Sequence, residues 1–475
     1  MGSNLGEMTA PDARYMRGGD AFAWYMERDP ALRSTVVAVF WLDRAPGWDV
    51  LSARIDRMAR LIPGLRQCVV PSPFRLAPPR WAYDPQFDLT WHLRRAVAAT
   101  AEVPEAVLAV ARRSAMDAFD RDRPLWELTL VEGAEGGPAA LVFKVHHSLS
   151  DGVGGMRMLA ALLDPQREPP DPGPMPPAPP GETLGLGALV TGAAGVLAGR
   201  TVRLGWLAAK ETIPVLVRYA SDPAGGIGGA AAMARSVYRT AAPLPSSKSA
   251  LMRERGMTRR LAVWEVSLEA LSRAAKTAGG TVNDAYLAAV TGGLRRYHQR
   301  HGAVVESLRA VMPISLRARE EMGWGNRITL QRVTVPVAEP DPVTRMRMLH
   351  RVTEAARREP SLGVTDTIAE GLSLLPAGYV GGVLKRVDFL ASNVPGIPVP
   401  VYLAGSEITG IFAFGPTIGS ALNITLLSYR GTCDIAVNID IAAVPDPEVL
   451  LECLRDSFDE IVRLGAAVPR TGRSR

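Results

Sequence analysis

The chain contains few cysteines and few histidines. Its three cysteines, Cys68, Cys433 and Cys453, are too few and too scattered for a disulfide framework or a cysteine-rich zinc site. The amino terminus lacks a basic start followed by an apolar core, so we expect no signal peptide. A reducing, cytoplasmic compartment fits both observations.

Several catalytic motifs are also absent. The sequence has no Gly-x-x-x-x-Gly-Lys phosphate loop, no Gly-x-Ser-x-Gly nucleophile elbow and no His-Glu-x-x-His zinc motif. No basic stripe interleaved with aromatic residues is present, so we expect no nucleic-acid partner. Without a serine or cysteine in an elbow to carry an acyl group, two substrates of a group transfer would meet directly.

Length and charge set broad limits. A chain of 475 residues is too long for one ordinary core, so we expect two domains. The hydrophobic content of 47% and charged content of 21% are typical of a globular protein. The net charge is +6, mostly from arginine, and a basic surface attracts phosphates such as those of coenzyme A or anionic lipids.

Strands and helices alternate in the first third of the chain, which predicts an α/β domain. The predicted strands include Ser34–Asp43, Leu125–Glu132 and Ala139–Val145, with a possible short strand at Trp91–Leu93. Asp20 is predicted to cap a helix that opens the domain.

A proline-dense stretch, 164–181, predicts an extended linker, because proline disfavours helices and central strands. The predicted division is therefore residues 1–164, a linker and crossover segment over 165–245, and a second α/β domain over 246–475. Within the crossover, the apolar stretch Leu184–Gly199 is too short to span a membrane, and basic residues follow it. It is interpreted either as a crossover helix packed on both domains or as a segment lying on a membrane surface.

The most informative motif is His-His-x-x-x-Asp-Gly, formed by His146, His147, Asp151 and Gly152. It follows a predicted buried strand, where loops often carry catalytic side chains. Imidazole exchanges protons near neutral pH, so His147 is predicted to be the general base. His146 would point to the other side if the strand continues through it, in a packing or hydrogen-bonding role. No third ligand accompanies the two histidines, so we expect no metal.

These residues and four further stretches resemble the bacterial wax ester synthase/diacylglycerol acyltransferases, a family built like chloramphenicol acetyltransferase. The further stretches are Pro124–Leu128, Thr281–Ala285, Pro313–Arg317 with Gly325–Arg327, and Ser392–Gly396. The resemblance covers nearly the whole chain, apart from a divergent middle.

The resemblance implies two chloramphenicol-acetyltransferase-like domains, each a mixed sheet flanked by helices, with a tunnel between them. It implies transfer of a long-chain acyl group from acyl-CoA to a fatty alcohol or diacylglycerol, at a membrane face or lipid droplet, without a cofactor. In the family the pair Asn283 and Asp284 lies near the tunnel, although plain helix capping would also explain it. The candidate supporting residues of the site are Asn283, Asp284, Ser392, Asn393 and Thr425.

Two alternatives remain open at this point. A free-standing condensation or polyketide-associated acyltransferase would take its acyl group from a carrier protein. A catalytically silent lipid-binding protein of the same fold would bind lipid without turnover. Asn283 and Thr425 are weak candidates for the oxyanion donor that a transferase needs, and the sequence does not identify an arginine partner for Asp151.

Overall fold

A computed structural model describes most of the chain. The described residues are 14–98, 103–134, 137–149, 155, 158, 161–199, 246–315, 328–359, 381, 382 and 384–466. They form two six-stranded mixed sheets, each flanked by helices, and a small two-stranded sheet. The predicted α/β class with two sheets is confirmed.

The first half of the chain supplies four strands of the first sheet and the helices around it. Its elements are α1 (Gly18–Met26), β1 (Thr35–Leu42), α2 (Trp48–Leu61), β2 (Gln67–Val70), β3 (Arg80–Tyr83), α3 (Leu89–His92), β4 (Leu93–Val97), α4 (Val103–Met116), β5 (Trp126–Glu132) and β6 (Ala139–His146). Every residue of β6 is buried, as expected for an apolar strand in the middle of a covered sheet.

The second half supplies the whole second sheet. Its elements are β7 (Arg259–Ser267), α5 (Leu268–Thr277), α6 (Val282–Arg300), β8 (Ser307–Ser315), β9 (Ile328–Pro336), α7 (Pro342–Arg357), β10 (Phe389–Val394), β11 (Tyr402–Leu403), β12 (Ser406–Phe414), β13 (Leu422–Tyr429), β14 (Thr432–Asp440) and α8 (Pro447–Ala466). The strand order is β7-β14-β13-β10-β8-β9. The Ser267 side chain caps α5 by accepting a hydrogen bond from the Ala270 amide at 3.2 Å.

Two strands cross from the second half into the first sheet, whose order is β11-β12-β1-β6-β5-β4. Strand β12 pairs antiparallel with β1, which pairs antiparallel with β6 on its other side. Residues 402–414, which lie within the predicted second domain 246–475, therefore complete the first sheet. Sequence pattern identifies a strand but not a partner so far away along the chain.

A hydrophobic cluster joins the two sheets. It combines Val37 and Val142 of the first sheet with Leu261 and Ala436 of the second, and α4 contributes Val107. Burial of these apolar side chains favours a fixed arrangement of the two halves.

Asp434 adds a polar link at the same junction. This β14 side chain, 1% exposed, accepts a hydrogen bond from the Ile411 amide of β12 at 2.7 Å. Burial raises the pKa of Asp434 to about 6, although hydrogen bonds from Ile411 and Thr432 oppose the shift. An ionised carboxylate is therefore costly at this position.

The proline-dense linker is extended, as predicted, but it lies on the first domain. Arg60 of α2 donates to the Pro176 carbonyl at 2.9 Å, and the Glu182 amide donates to the Tyr83 carbonyl at 2.8 Å. Residues 186–199 then form a helix, and among them only Ala193 is buried. Residues 200–245, which contain the basic part of the crossover, lie outside the described residues.

Two local predictions are wrong. Residues Leu89–His92 form a short helix rather than part of a strand, because the Asp88 side chain caps it by accepting from the Thr90 amide at 2.9 Å. The strand that follows begins at Leu93. Asp20 lies inside the first turn of α1, whose N-cap residue is Arg17.

Replacing Asp434 by asparagine should stabilise the protein more at pH 7.5 than at pH 4.5. The raised pKa favours the protonated native state, so the contribution of Asp434 to stability falls as the pH rises from about 4 to about 6. Between pH 4.5 and pH 7.5, the difference in unfolding free energy between Asp434→Asn and the wild type should grow by up to about 2 kcal/mol. Denaturant unfolding at both pH values measures it.

Asp440→Asn, in the same strand, is the matched control. Asp440 is 1% exposed and pairs with Arg259 at 2.9 Å, so its neutralisation leaves a buried guanidinium without its counter-ion. This variant should lose stability at pH 7.5. An Asp434→Asn effect that is the same at both pH values would contradict the assignment.

Candidate active site

Strand β6 ends at His146, and His147 follows directly. Backbone hydrogen bonds from both sides hold the chain at this point. The His146 amide donates to the Leu125 carbonyl at 3.0 Å, and the His147 amide donates to the Ser34 carbonyl at 2.9 Å. His147–Leu149 then form a single 3₁₀ turn. The position of the His147 backbone is thus set by neighbours from two parts of the first domain.

The two histidines have different surroundings. His146 is fully buried and contacts the Trp24 and Phe119 rings in edge-to-face geometry, each with its centroid 6.1 Å away. His147 is only partly buried. Because a proton-transferring group must reach substrate, His147 is the better placed of the two for chemistry.

Both ring nitrogens of His146 face protein groups. Nδ1 lies 2.7 Å from the Ser148 hydroxyl and 3.1 Å from the Ser148 amide, which donates to it. Nε2 lies 3.1 Å from Oε1 of Glu27. The ring therefore ties the residue after α1 to the turn that contains His147.

Glu27 is a buried carboxylate whose partners favour its ionised form. Its Oε1 also accepts a hydrogen bond from the Ser34 amide at 3.0 Å. Burial acts to raise the pKa of Glu27, but its close contact with His146, the hydrogen bond from the Ser34 amide and the Arg121 charge together lower it below its usual value. Glu27 is therefore an anion at neutral pH.

The Pro124–Leu128 stretch supports the histidines from the neighbouring strand. Trp126 is fully buried, stacks on His92 at a centroid distance of 4.5 Å, and donates through Nε1 to the Leu65 carbonyl at 2.8 Å. His92 in turn binds the Trp126 carbonyl through Nδ1 at 2.7 Å. The tryptophan thus anchors the start of β5. The carbonyl of the preceding residue, Leu125, accepts the His146 amide.

The second domain brings another set of candidate residues together. Asn393 of β10 donates to the Asn283 side chain at 3.4 Å, and both residues are partly buried. Ser392 is paired in register with Thr425 of the adjacent strand β13. Two stretches that the sequence singled out separately therefore meet where α6 begins.

Asp284 and Thr425 have buried side chains with protein partners. Asp284 is 1% exposed, forms a capping box with Thr281, and binds Nδ1 of His350 at 2.9 Å. Thr425 is 3% exposed and donates to Oδ1 of Asn423 at 3.3 Å. Capping accounts for Asp284, and Asn283 is left as the more accessible polar group of that pair.

The rest of the motif lies outside the described residues. Asp151 and Gly152 belong to this remainder, as do Gly325–Arg327. Among the residues that the structure describes, no cluster of histidine, cysteine, aspartate or glutamate is suited to hold a metal ion.

Sequence reasoning did not identify Glu27 or the serines at positions 34 and 148. A glutamate just after an apolar helix gives no sign that it is buried, and a buried carboxylate needs partners that only the fold reveals. Ser148 could have been identified, because serine side chains often form hydrogen bonds with groups only a few residues away.

Two family models match most of the chain. The model of the wax ester synthase/diacylglycerol acyltransferase catalytic domain matches residues 16–286, and that of the WS/DGAT C-terminal domain matches residues 324–462. A Mycobacterium tuberculosis (strain H37Rv) protein, whose name proposes diacylglycerol O-acyltransferase activity, is 36% identical over 94% of this chain and 91% of its own. A second protein of that strain with the same proposed activity is 30% identical over 96% and 98%.

Solved structures show the same fold. The wax ester synthase/diacylglycerol acyltransferase from Marinobacter aquaeolei VT8 has a TM-score of 0.61 and 22% identity, covering 95% of this chain and all of its own. The first condensation domain of the calcium-dependent antibiotic synthetase, bound to a substrate analogue, has a TM-score of 0.58 and 16% identity, covering 96% and 97%. The two-domain fold is common to both groups, but the sequence relationship separates them, and the chain belongs to the wax ester synthase/diacylglycerol acyltransferase family of acyltransferases.

Proposed function

We propose that the chain transfers a long-chain acyl group from acyl-CoA to the hydroxyl of a fatty alcohol or diacylglycerol, with His147 as general base. The observation that carries the proposal is the contrast at the end of β6. His146 is fully buried with both nitrogens facing protein groups, whereas His147 is partly exposed on the following turn.

The proposed reaction is a direct transfer in a ternary complex. His147 takes the proton of the acceptor hydroxyl while the oxygen attacks the thioester carbonyl. The tetrahedral intermediate collapses, the carbon–sulfur bond breaks, and the imidazolium returns its proton to the leaving thiolate. The products are the ester and free coenzyme A. Holding both substrates at one imidazole supplies proximity.

Supporting roles are proposed for the remaining motif residues. Asp151 and Gly152 shape the loop after His147, with the aspartate acting structurally rather than as a triad member. Asn283, in contact with Asn393, is the better-placed candidate for a donor to the developing oxyanion, because Thr425 is buried and donates to Asn423.

The proposed activity is tested with the purified chain and radiolabelled palmitoyl-CoA. Hexadecanol and dioleoylglycerol are supplied separately, and thin-layer chromatography reads out wax ester and triacylglycerol. Ester formed from acyl-CoA supports the proposal. Product formed only from an acyl carrier-protein thioester would favour a condensation-type enzyme, and lipid bound without turnover would favour a silent binding protein.

Replacing His147 by alanine should lower the rate of acyl transfer by about 10²- to 10⁴-fold, because general base catalysis typically contributes that much. The melting temperature should change little. His301→Ala is the matched control, since His301 is partly exposed and bound to Asp446 at 2.8 Å, at the end of α6. Full activity in a folded His147→Ala protein would contradict the role assigned to this residue.

We also propose that residues 186–199 lie on a lipid surface, where an apolar acceptor would be found. No charged residue occurs between Glu182 and Arg200. Leu186, Val190 and Leu197 are 70%, 40% and 45% exposed. No described helix is long and apolar enough to cross a bilayer. A helix of this length, about 21 Å, would instead lie within the interface.

The double variant Leu186→Glu/Leu197→Glu should weaken binding to vesicles of phosphatidylcholine and phosphatidylglycerol by about tenfold or more, because charged side chains oppose apolar insertion. Flotation assays measure the bound fraction. Val50→Glu/Val304→Glu places the same charges on apolar residues that are 59% and 94% exposed elsewhere. Equal loss in both double variants would indicate a general charge effect and contradict the assignment.

A further inference from the structure

We propose that Glu27 is a positioning residue for acyl transfer, acting through the buried His146 on the turn that presents His147. This inference rests on the proposed role of His147. Glu27 has no place in the His-His-x-x-x-Asp-Gly motif and is separated from it by more than a hundred residues of sequence.

One carboxylate oxygen connects the two histidines. Oε1 of Glu27 lies 3.1 Å from Nε2 of His146 and accepts the Ser34 amide at 3.0 Å. The carbonyl of the same serine accepts the His147 amide at 2.9 Å. Glu27 thus contacts His146 through the ring and is linked to His147 through a single backbone residue, Ser34.

The contacts also select a proton position on the His146 ring. The Ser148 amide donates to Nδ1, so this nitrogen must offer its lone pair. In the neutral ring the proton is then on Nε2, facing the carboxylate. With the proton on Nδ1 instead, the ring and the Ser148 amide would oppose each other as two donors, and the turn at 147–149 would lose a support.

The surroundings of Glu27 explain how a buried anion is tolerated there. Its side chain is 9% exposed. The guanidinium of Arg121 lies 3.7 Å from the centre of the Trp24 ring and donates to the Trp24 carbonyl at 2.9 Å, and its charge helps to keep Glu27 ionised. A buried carboxylate with this many partners is costly to remove, because its neighbours would be left unsatisfied.

A purely structural role would predict lower stability and normal turnover. A positioning role instead predicts lower turnover, since misplacing a catalytic group by about 1 Å can lower the rate about a hundredfold. Glu27→Ala removes the acceptor of the Ser34 amide and the carboxylate that faces Nε2 of His146. Glu27→Gln keeps an oxygen at the same reach and removes only the charge.

Glu27→Ala should lower kcat for acyl transfer from palmitoyl-CoA by about 10- to 100-fold with KM unchanged, and Glu27→Gln should restore most of it. Glu460→Gln is the matched control. Glu460 of α8 is a partly buried glutamate that pairs at 2.9 Å with the buried Arg345 of α7. Glu460→Gln should lower the melting temperature and leave kcat unchanged.

The ring state gives a readout that does not depend on activity. In full-length protein labelled with nitrogen-15 at histidine, the His146 signals are identified by their absence in His146→Gln. The wild type and Glu27→Gln should show a protonated Nε2 and an unprotonated Nδ1, and Glu27→Ala should lose this pattern.

The proposal is overturned if folded Glu27→Ala keeps both normal kcat and the wild-type nitrogen pattern, or if Glu27→Gln fails as badly as alanine. If the wild type itself transfers nothing from acyl-CoA, the proposed function fails. The nitrogen signals then still decide whether Glu27 sets the state of His146.

Discussion

Strand β1 is the constraint on which the site depends, because both of its edges are occupied by distant parts of the chain. β6, which ends in His146, pairs along one edge, and β12 from the second half pairs along the other. Ser34, the residue just before β1, accepts the His147 amide through its carbonyl. Its own amide donates to the Glu27 carboxylate. The same strand therefore fixes the arrangement of the two halves and the position of the histidines.

The site relies on buried polar groups that are paired with one another. In the first domain these are Glu27, His146 and Ser148, and in the second the buried Asp284 binds Thr281 and His350, which are more exposed. Such groups are expensive to bury singly, but once paired they restrict the chain to few arrangements. This supports a view of the motif in which only a minority of its polar residues meet substrate and the others keep the backbone in place.

Local features of the fold could be predicted from the sequence, and long-range ones could not. The strands predicted at Ser34–Asp43 and Ala139–Val145 follow from the local pattern of apolar residues, and both are observed, as β1 and β6. The Trp91–Leu93 prediction failed because the side chain of Asp88 outweighed a short strand-like run. The contact between Asn283 and Asn393, like that between Glu27 and His146, joins distant residues, and neither periodicity nor spacing carries that information.

The crossing of β12 into the first sheet has a consequence for synthesis of the protein. As the chain leaves the ribosome, the first domain can assemble β1, β6, β5 and β4 long before residues 402–414 are made. Until then the outer edge of β1, with its valines and Phe40, has unpaired amides and carbonyls of the kind that seed aggregation. The first sheet therefore keeps an open edge on β1 until residues 402–414 have been made, and only then can β12 and β11 close it.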